Sequence, residues 1–269
     1  METRHARFVV DRCRSLGAWL GLGRDARKEA AASRALEEAS ELARSRYVRK
    51  LAVVAHELRN PLGPMRNAVA AITCERPEEV HRARLIIDRQ ITQMSRLIDD
   101  LMDLSRANLG KFSLVLERVR LDEIVDRAVC ACRPALEGRS QRLLVAGNAA
   151  GCEVSADPLR LLQILGNLLD NASKYSPDFN VIHLDVRAVE SEVVLSVTDY
   201  GIGIASDALG RIFEPFVQEA RASGFDRSGL GVGLAVVRDL VEAHRGSVTA
   251  SSDGIGRGAR FVVALPRFV

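Results

Sequence analysis

The chain has no apolar run of the roughly 18 residues that a membrane-spanning helix needs. Its most apolar stretch near the start, residues 15–23, is short and broken by glycine, and no cleavage-site pattern of a signal peptide follows the early arginines. These absences exclude an extracellular sensing role for this sequence. They predict a cytoplasmic location, with peripheral membrane association through the first segment as an open alternative.

Strong charge and a cysteine framework are also missing. The net charge is only +3, and no Lys/Arg run with interleaved aromatic residues is present, so nucleic acid is not an expected partner. The five cysteines are odd in number and scattered, which is typical of a reducing compartment. Cys130 and Cys132 lie two residues apart on a predicted helix and would point to different sides, so we expect no zinc site there.

A helical hairpin is predicted over residues 28–109, because apolar residues recur at steps of three and four. The first stripe has one irregular step beside Pro61, which should kink the helix there. The stripes consist of Tyr47, Leu51, Val54, Leu58, Leu62, Met65, Val69 and Ile72, and then of Ile87, Ile91, Met94, Ile98 and Leu101. Two such narrow stripes need a second copy to bury them, so we expect a homodimer with a four-helix bundle.

Residues 1–27 precede this hairpin and have no assigned role. Their arginines and small apolar patch fit either a flexible lead-in or a docking segment for a partner or a membrane surface.

His56 is the first candidate for chemistry. The heptad count places it at the most exposed position of the helix, with Asn60 one turn later on the same face. Glu57 follows it directly. An ordinary surface histidine remains the alternative for this segment by itself, and only the downstream motifs make His56 a candidate phosphate acceptor.

Residues 110–269 predict a mixed α/β domain, so the fold class is α+β. Strands are expected at 112–116, 143–145, 153–154, 181–186, 193–197 and 260–265, and helices at 121–133, 158–172 and 233–243.

A nucleotide pocket is indicated by two clusters in this domain. Asn167 and Asn171 share one helix face, where their amide oxygens could bind Mg²⁺, and Lys174 near the helix end could meet phosphate. Asp199 ends a strand and is followed by Gly201 and Gly203, which suits a carboxylate aimed at an adenine amino group.

A third and a fourth cluster follow. Phe213 and Phe216 lie in a loop that fits a hydrophobic latch, a moving lid, or both. Glycines open the next helix at Gly229, Gly231 and Gly233, where backbone N–H groups favour phosphate, and the polar stretch 217–228 resembles a lid. The run is not a Walker loop, because no Gly-x4-Gly-Lys-Ser/Thr pattern occurs, and it is not a dinucleotide motif, since the strand of a βαβ unit is missing before it.

With these motifs in this order, the chain resembles a sensor histidine kinase of bacterial two-component systems over roughly residues 45–266. The stretch 56–61 is similar to the family's H box, 167–175 (ending at Tyr175) to its N box, and the three later motifs to its G1, F and G2 boxes. The chain departs from the family at Ala259, where threonine is usual. The resemblance implies a dimerisation and phosphotransfer hairpin followed by a Bergerat-type ATP-binding domain.

The resemblance also implies roles. His56 would attack the γ-phosphate of ATP, with Glu57 as general base. Mg²⁺ would be held chiefly by Asn171 and also by Asn167, and Asn60 would orient a water for dephosphorylation of the regulator. An amide at Asn167 cannot activate water as a carboxylate would, so we expect little ATP hydrolysis.

The implied partner is a separate response regulator, since no receiver domain follows in the sequence. The input would come from a partner sensor, from the first segment, or from a domain outside this chain. Two alternatives remain: a pseudokinase scaffold that binds a regulator, and a Bergerat-type ATPase or serine kinase.

Overall fold

The computed structural model describes residues 51–72, 76–108, 114–147, 151–217 and 229–268, together with isolated residues between 40 and 48. The chain separates into two compact units, Met1–Ala55 and His56–Val269, and the fold described below is that of the second. The predicted segment 1–27, Tyr47 and most of the predicted lid lie outside the described residues.

The predicted hairpin is formed by helices on either side of residues 73–75. Residues 51–59 form α1, Asn60 and Pro61 form a turn, and α2 continues over Leu62–Ala71, which confirms the predicted break at the proline. Helix α3, Pro77–Asn108, begins with proline and two glutamates, a favourable start for a helix dipole.

The second domain contains a five-stranded sheet and a separate two-stranded sheet. The larger sheet has the order β2-β4-β5-β7-β6, with β2 and β4 parallel and the other neighbours antiparallel. The smaller sheet pairs β1 with β3. The elements are β1 Glu117–Arg120, α4 Leu121–Gly138, β2 Arg142–Gly147, β3 Glu153–Ala156, α5 Pro158–Lys174, β4 Val181–Val189, β5 Glu192–Asp199, α6 Ser206–Leu209, α7 Gly233–Ala243, β6 Ser247–Ser251 and β7 Ala259–Pro266.

The core lies between the larger sheet and helices α4, α5 and α7. Alternate residues of β4, β5 and β7 are buried, as expected for strands with one face on a helical layer. Helix α5 is the centre of this layer and buries Leu161, Ile164, Leu165, Leu168 and Leu169. The predicted order of a helical hairpin followed by an α/β sandwich is confirmed.

Helix α5 has a fixed start. The Asp157 side chain accepts hydrogen bonds from the backbone N–H groups of Leu159 and Arg160, at 3.0 and 3.2 Å, and Pro158 occupies the first helical position. The Asp157 amide donates in turn to Nε2 of the buried His244, at 3.0 Å. These contacts tie the first turn of α5 to the end of α7.

Two predicted boundaries were wrong. Residues 114–116 are not in a strand; the first strand is β1, whose charged side chains face solvent, and Arg118 forms an ion pair with Glu153 of the neighbouring strand. Helix α4 continues past Arg133 and through Pro134, because buried Leu136 packs its last turn against the core.

Strand β6 and the short helix α6 were not predicted; β6 is a polar edge strand with little burial.

Two expected absences can be compared with the described residues. None of the described helices is long and apolar enough to span a membrane. Cys132 is buried while Cys130 is exposed, and no cluster of three metal-ligating His, Cys, Asp or Glu side chains occurs in the described part of the chain.

Candidate nucleotide-binding and phosphoacceptor site

The acid that ends β5 lies at the centre of the candidate nucleotide site. Asp199 is only 5% exposed, and its Oδ1 accepts hydrogen bonds from the backbone N–H of Gly201 at 2.9 Å and of Ala259 at 3.3 Å. Burial raises the pKa of Asp199 above its ordinary value, and these two hydrogen bonds offset part of the rise. The carboxylate is therefore held rigidly in a desolvated place, as a specific polar contact requires.

The glycines after Asp199 allow backbone segments to approach closely. A Cβ on Gly201 would lie 2.0 Å from the carbonyl oxygen of Tyr175, and a Cβ on Gly203 would lie 2.1 Å from that of Gly254. Gly203 also has a φ of +68°, which favours glycine. The Ile202 N–H donates to the Tyr175 carbonyl at 3.0 Å, so this loop is bound directly to the end of α5.

Helix α5 presents three of the predicted ligand-binding residues on one face. The Asn167 Nδ2 donates to the carbonyl of Gly233 at 3.2 Å, which links α5 to the start of α7 and leaves the Asn167 Oδ1 as its acceptor atom. Asn171 is half-buried one turn later, and Lys174 follows in the last turn. The Lys174 ammonium lies 5.0 Å from the centre of the Tyr175 ring.

The glycine-rich loop before α7 has backbone conformations that favour glycine. Gly229 and Gly231 have φ angles of +118° and +66°, whereas Leu230 and Val232 between and after them are buried and anchor the loop to the domain. A Cβ on Gly229 would lie 3.7 Å from Lys174 Nζ. The structure therefore brings the predicted lysine and glycine loop together.

The two phenylalanines contact different parts of the site. Phe213 packs against the core and meets the Phe261 ring edge to face, with 6.5 Å between ring centres, which agrees with the latch interpretation. The Phe216 N–H donates to the Gly231 carbonyl at 2.9 Å. A shift of this loop would therefore also move the glycine-rich loop.

His56 is exposed, as its heptad position predicts, with 72% of its side chain accessible. Its Nδ1 lies 3.8 Å from the Oε1 atom of Glu57, whose side chain is only 13% exposed. The other oxygen, Oε2, accepts a hydrogen bond from the backbone N–H of Gly229 at 2.8 Å. The carboxylate beside His56 therefore touches the glycine-rich loop directly.

Asn60 lies one helical turn after His56, as the heptad count predicts, because its backbone N–H donates to the His56 carbonyl at 3.0 Å. Its side-chain Nδ2 donates to Glu57 Oε1 at 3.2 Å. The carboxylate beside His56 is therefore also held by Asn60.

Polar contacts between α3 and α5 were not anticipated from the sequence. The buried Asp103 accepts two hydrogen bonds from Arg160 Nη1, each of 3.0 Å, and one from Gln163 Nε2 of 2.6 Å. An exposed pair joins Arg96 to Asp170 at 3.0 Å. Each partner is an ordinary charged or polar residue in a helical pattern, so the sequence contains no local signal for these pairs.

The residues fit a nucleotide and a divalent cation. Asp199 is a rigid, buried acceptor, Gly229 and Gly231 supply backbone N–H groups in a loop whose positive φ angles favour glycine, and Lys174 supplies positive charge beside it. Amide oxygens at Asn167 and Asn171 are neutral hard donors of the kind that Mg²⁺ accepts. The fold and this site define an ATP-binding domain attached to a helical hairpin that exposes a histidine.

Comparison with known proteins assigns the family. The model of the histidine kinase-, DNA gyrase B- and HSP90-like ATPases matches residues 156–268, and that of the His Kinase A phospho-acceptor domain matches residues 49–110. The chain belongs to the histidine kinase family, and its recognition from the ordered motifs is confirmed.

Three proteins illustrate the similarity. The alginate biosynthesis sensor protein KinB of Pseudomonas aeruginosa is 32% identical over 234 residues, which cover 86% of this chain and 38% of KinB. The sensor-like histidine kinase SenX3 of Mycolicibacterium smegmatis is 30% identical over 237 residues, covering 87% of this chain and 61% of SenX3. Full-length ShkA, solved in complex with AMPPNP, is 28% identical with a TM-score of 0.60, covering 81% of this chain and 45% of ShkA. This chain thus spans only part of each of these proteins.

Proposed function

We propose that this chain catalyses ATP-dependent phosphorylation of His56 and passes the phosphoryl group to an aspartate of a separate response regulator. The observation that carries the proposal is the 2.8 Å contact between Glu57 Oε2 and the Gly229 amide. It places the acid next to His56 at the loop whose N–H groups suit a phosphate. The proposal is further supported by family membership and by the ShkA complex with AMPPNP, an ATP analogue.

The proposed chemistry follows from which imidazole nitrogen faces the acid. Nδ1 of His56 points toward Glu57, so Nε2 is the nitrogen that attacks the γ-phosphorus. The Nε2 lone pair forms the N–P bond, and the bond from that phosphorus to the β–γ bridging oxygen breaks, so ADP leaves with the electron pair. Glu57 accepts the Nδ1 proton as the ring becomes cationic.

The nucleotide is held by the second domain. Asp199 accepts a hydrogen bond from the adenine amino group, while the glycine-rich loop and Lys174 bind the phosphates. Asn171 and the Oδ1 of Asn167 are the proposed ligands of Mg²⁺, which supplies charge neutralisation to the triphosphate. Because Asn167 is an amide and not a carboxylate, hydrolysis of ATP by water is expected to be slow.

A homodimer is the proposed assembly. Several residues of the predicted stripes are exposed in the single chain, although they are large and apolar: Leu51, Leu62, Val69, Ile72, Ile91 and Ile98. A second copy of the hairpin would bury them in a four-helix bundle. The proposed domains are the hairpin over 28–109 and the ATP-binding domain over 110–269.

Dephosphorylation of the regulator is a second proposed activity. Asn60 is exposed one helical turn after His56 and would orient the attacking water when its contact with Glu57 opens. Asn60→Ala should then retain phosphohistidine formation and lose regulator dephosphorylation.

Incubation of the full chain with Mg²⁺ and γ-labelled ATP tests the principal proposal. We expect label that is stable in base and lost in acid, present in His81→Gln and absent in His56→Gln. His81 is a suitable control because it is also exposed and lies on the same hairpin.

The same assay separates the two alternatives. No label in the unaltered chain, despite ATP binding, indicates a scaffold when no labelled phosphate is released and an ATPase when it is. Acid-stable label, or label that persists in His56→Gln, indicates a serine kinase and contradicts the assignment of His56.

A further inference from the structure

Gln141 contacts the last turn of helix α5, at the opposite end of the helix from the turn that Asp157 caps. Gln141 lies before β2 and is only 6% exposed. Its Nε2 is within hydrogen-bonding distance of three carbonyl oxygens, those of Ser173 at 3.0 Å, Ser176 at 3.3 Å and Pro177 at 3.0 Å. Its Oε1 accepts a hydrogen bond from the Ser173 hydroxyl at 2.6 Å. Both ends of one buried side chain are thus used by the same turn.

Arg139 strengthens this attachment. Its guanidinium donates to the carbonyls of Ser173 and Ser176 and, at 3.0 Å, to Oδ1 of Asp178. The backbone adds further contacts, because the Phe179 N–H donates to the Arg139 carbonyl at 3.0 Å. The segment 139–141 thereby supplies hydrogen-bond donors to carbonyls that the end of a helix leaves unsatisfied.

The turn held in this way carries nucleotide-site residues. Lys174 and Tyr175 lie between Ser173 and Ser176, and the Tyr175 carbonyl accepts the Ile202 N–H at 3.0 Å. The same carbonyl would be only 2.0 Å from a Cβ on Gly201. A displacement of the turn would therefore displace the loop whose Gly201 N–H holds Asp199 at 2.9 Å.

A second link runs through the following residues. Asn180 Nδ2 donates to the carbonyl of Tyr200 at 2.9 Å, next to Asp199. The carbonyl of Asn180 accepts the N–H of Arg142 at 2.9 Å. The segment around Gln141 and the loop around Asp199 are thus joined by hydrogen bonds at both ends of residues 173–180.

We propose that Gln141 is a positioning residue of the nucleotide site, which acts through the Ser173–Pro177 turn to fix Lys174 and the Asp199–Gly203 loop. This inference rests on the proposed function, because it assigns Asp199 to adenine and Lys174 to phosphate. Removal of the carboxamide leaves the Pro177 carbonyl without its described donor, the Ser173 hydroxyl without its acceptor, and the Ser173 and Ser176 carbonyls with one side-chain donor fewer, so the turn must shift to satisfy them.

The test uses the full chain and the variant Gln141→Met, which has a similar length and no hydrogen-bonding amide. We expect its Kd for ADP to rise by about three- to thirtyfold, as for the loss of buried hydrogen bonds. Preference for ADP over inosine diphosphate should also fall, because a displaced Asp199 no longer distinguishes an amino group from a carbonyl. Calorimetry with both nucleotides measures the two effects.

Two controls separate positioning from a general loss of stability. Ser176→Ala removes a hydroxyl that is buried in the same turn and has no hydrogen-bond partner among the described residues, and it should leave both Kd values unchanged. Ile124→Val shortens a buried core side chain in the first turn of α4, at the other end of that helix from Gln141. This variant should lower the melting temperature without changing the nucleotide preference.

An unchanged Kd and an unchanged preference in folded Gln141→Met would overturn the inference. Where that variant does not fold, Ser173→Ala decides, because it removes only the hydroxyl that holds Gln141 Oε1, and the same fall in preference is expected. Asp199→Asn identifies the source of a failure. Weaker ADP binding in Asp199→Asn but not in Gln141→Met refutes the positioning role alone, whereas unchanged binding in both refutes the proposed nucleotide site.

Discussion

Glu57 of the hairpin and Gly229 of the ATP-binding domain are joined by a 2.8 Å hydrogen bond, in which a carboxylate oxygen accepts the backbone N–H of the glycine-rich loop. A phosphate oxygen of a bound nucleotide would make the same kind of contact with that N–H. The carboxylate of Glu57 therefore competes with the ligand that the loop is proposed to bind, while the same side chain is the proposed base for His56.

Glu57→Ala should accordingly have opposite effects on binding and on catalysis. Without the competing acceptor, ADP binding should tighten by about three- to tenfold, from the loss of one charge-assisted hydrogen bond. Phosphohistidine formation should fall by about a hundredfold or more, the usual contribution of a general base. Calorimetry and γ-phosphate labelling measure the two effects.

The control for this prediction is Glu79→Ala, which removes another acid of the hairpin that pairs only with exposed Arg76 among the described contacts. It should change neither quantity. Weaker ADP binding in Glu57→Ala would show that the contact with Gly229 supports the nucleotide-binding conformation.

Asp199→Asn should weaken ADP binding by about ten- to a hundredfold, which corresponds to about 1.5–3 kcal/mol for a hydrogen bond to a charged group. The amide oxygen can still accept the two backbone N–H groups, so the loop should keep its shape. Calorimetry at neutral pH measures the change. Binding of equal strength in the variant would remove Asp199 from adenine recognition.

Because of Asp199, nucleotide binding and the stability of the folded chain should depend on pH in opposite directions. Burial raises the pKa of Asp199 in the folded chain above its value in the unfolded chain. The folded chain therefore retains this proton to higher pH, and ionisation of Asp199 makes an unfavourable contribution to stability that begins to diminish as the pH falls through the raised pKa and is gone below the ordinary pKa of an aspartate. ADP affinity should fall over the same interval, because binding uses the ionised carboxylate.

Asp199→Asn tests this dependence. Its melting temperature should exceed that of the unaltered chain at neutral pH, and the difference should vanish once the pH is below the ordinary pKa of an aspartate. Exposed Asp207 provides the control, since Asp207→Asn should change stability by no more than about 0.5 kcal/mol. A neutral-pH melting temperature lower than that of the unaltered chain would contradict the predicted sign.

Arg160 and Arg96 should differ in their contributions to stability, although both join α3 to α5 by an ion pair. Arg160→Met removes a cation that pairs with the buried Asp103 carboxylate and should cost about 3–5 kcal/mol. Arg96→Met removes an exposed pair with Asp170 and should cost about 0–1 kcal/mol. Chemical denaturation measures both.

The double variant Asp103→Leu with Arg160→Met supplies the check. It should recover part of the lost stability, since replacing a buried pair by apolar side chains also removes the buried charge of Asp103. Equal effects of the two single arginine variants would mean that burial does not distinguish the pairs.

The features that were predicted best from the sequence are those that depend on the chemistry of neighbouring residues. The bounds of α7, Gly233–Ala243, were predicted to the residue because glycine-rich turns flank an apolar helical pattern. The break at Pro61 was predicted because proline lacks a backbone donor. Strands β4, β5 and β7 were found because alternate or β-branched apolar residues mark a strand with a buried face.

Contacts made through the backbone, or between residues that lie far apart in the chain, could not be predicted from the sequence. The Ala259 N–H that holds Asp199 carries no signal in the residue type, since every residue except proline has such a donor. Gln141 also looked like an ordinary polar residue before a strand. Its three carbonyl partners lie more than thirty residues away, and only the fold brings them within reach.

The backbone contact at position 259 has a consequence for how variation in this chain should be interpreted. Because the Asp199 carboxylate is held by an amide that every residue but proline provides, the side chain at position 259 can change without loss of that anchor. Position 201 lacks this freedom, since any Cβ there would collide with the Tyr175 carbonyl. A saturation mutagenesis library should therefore show broad tolerance of small side chains at position 259 and near-complete selection for glycine at position 201. An uncommon residue inside a motif is thus compatible with activity where only its backbone N–H is used.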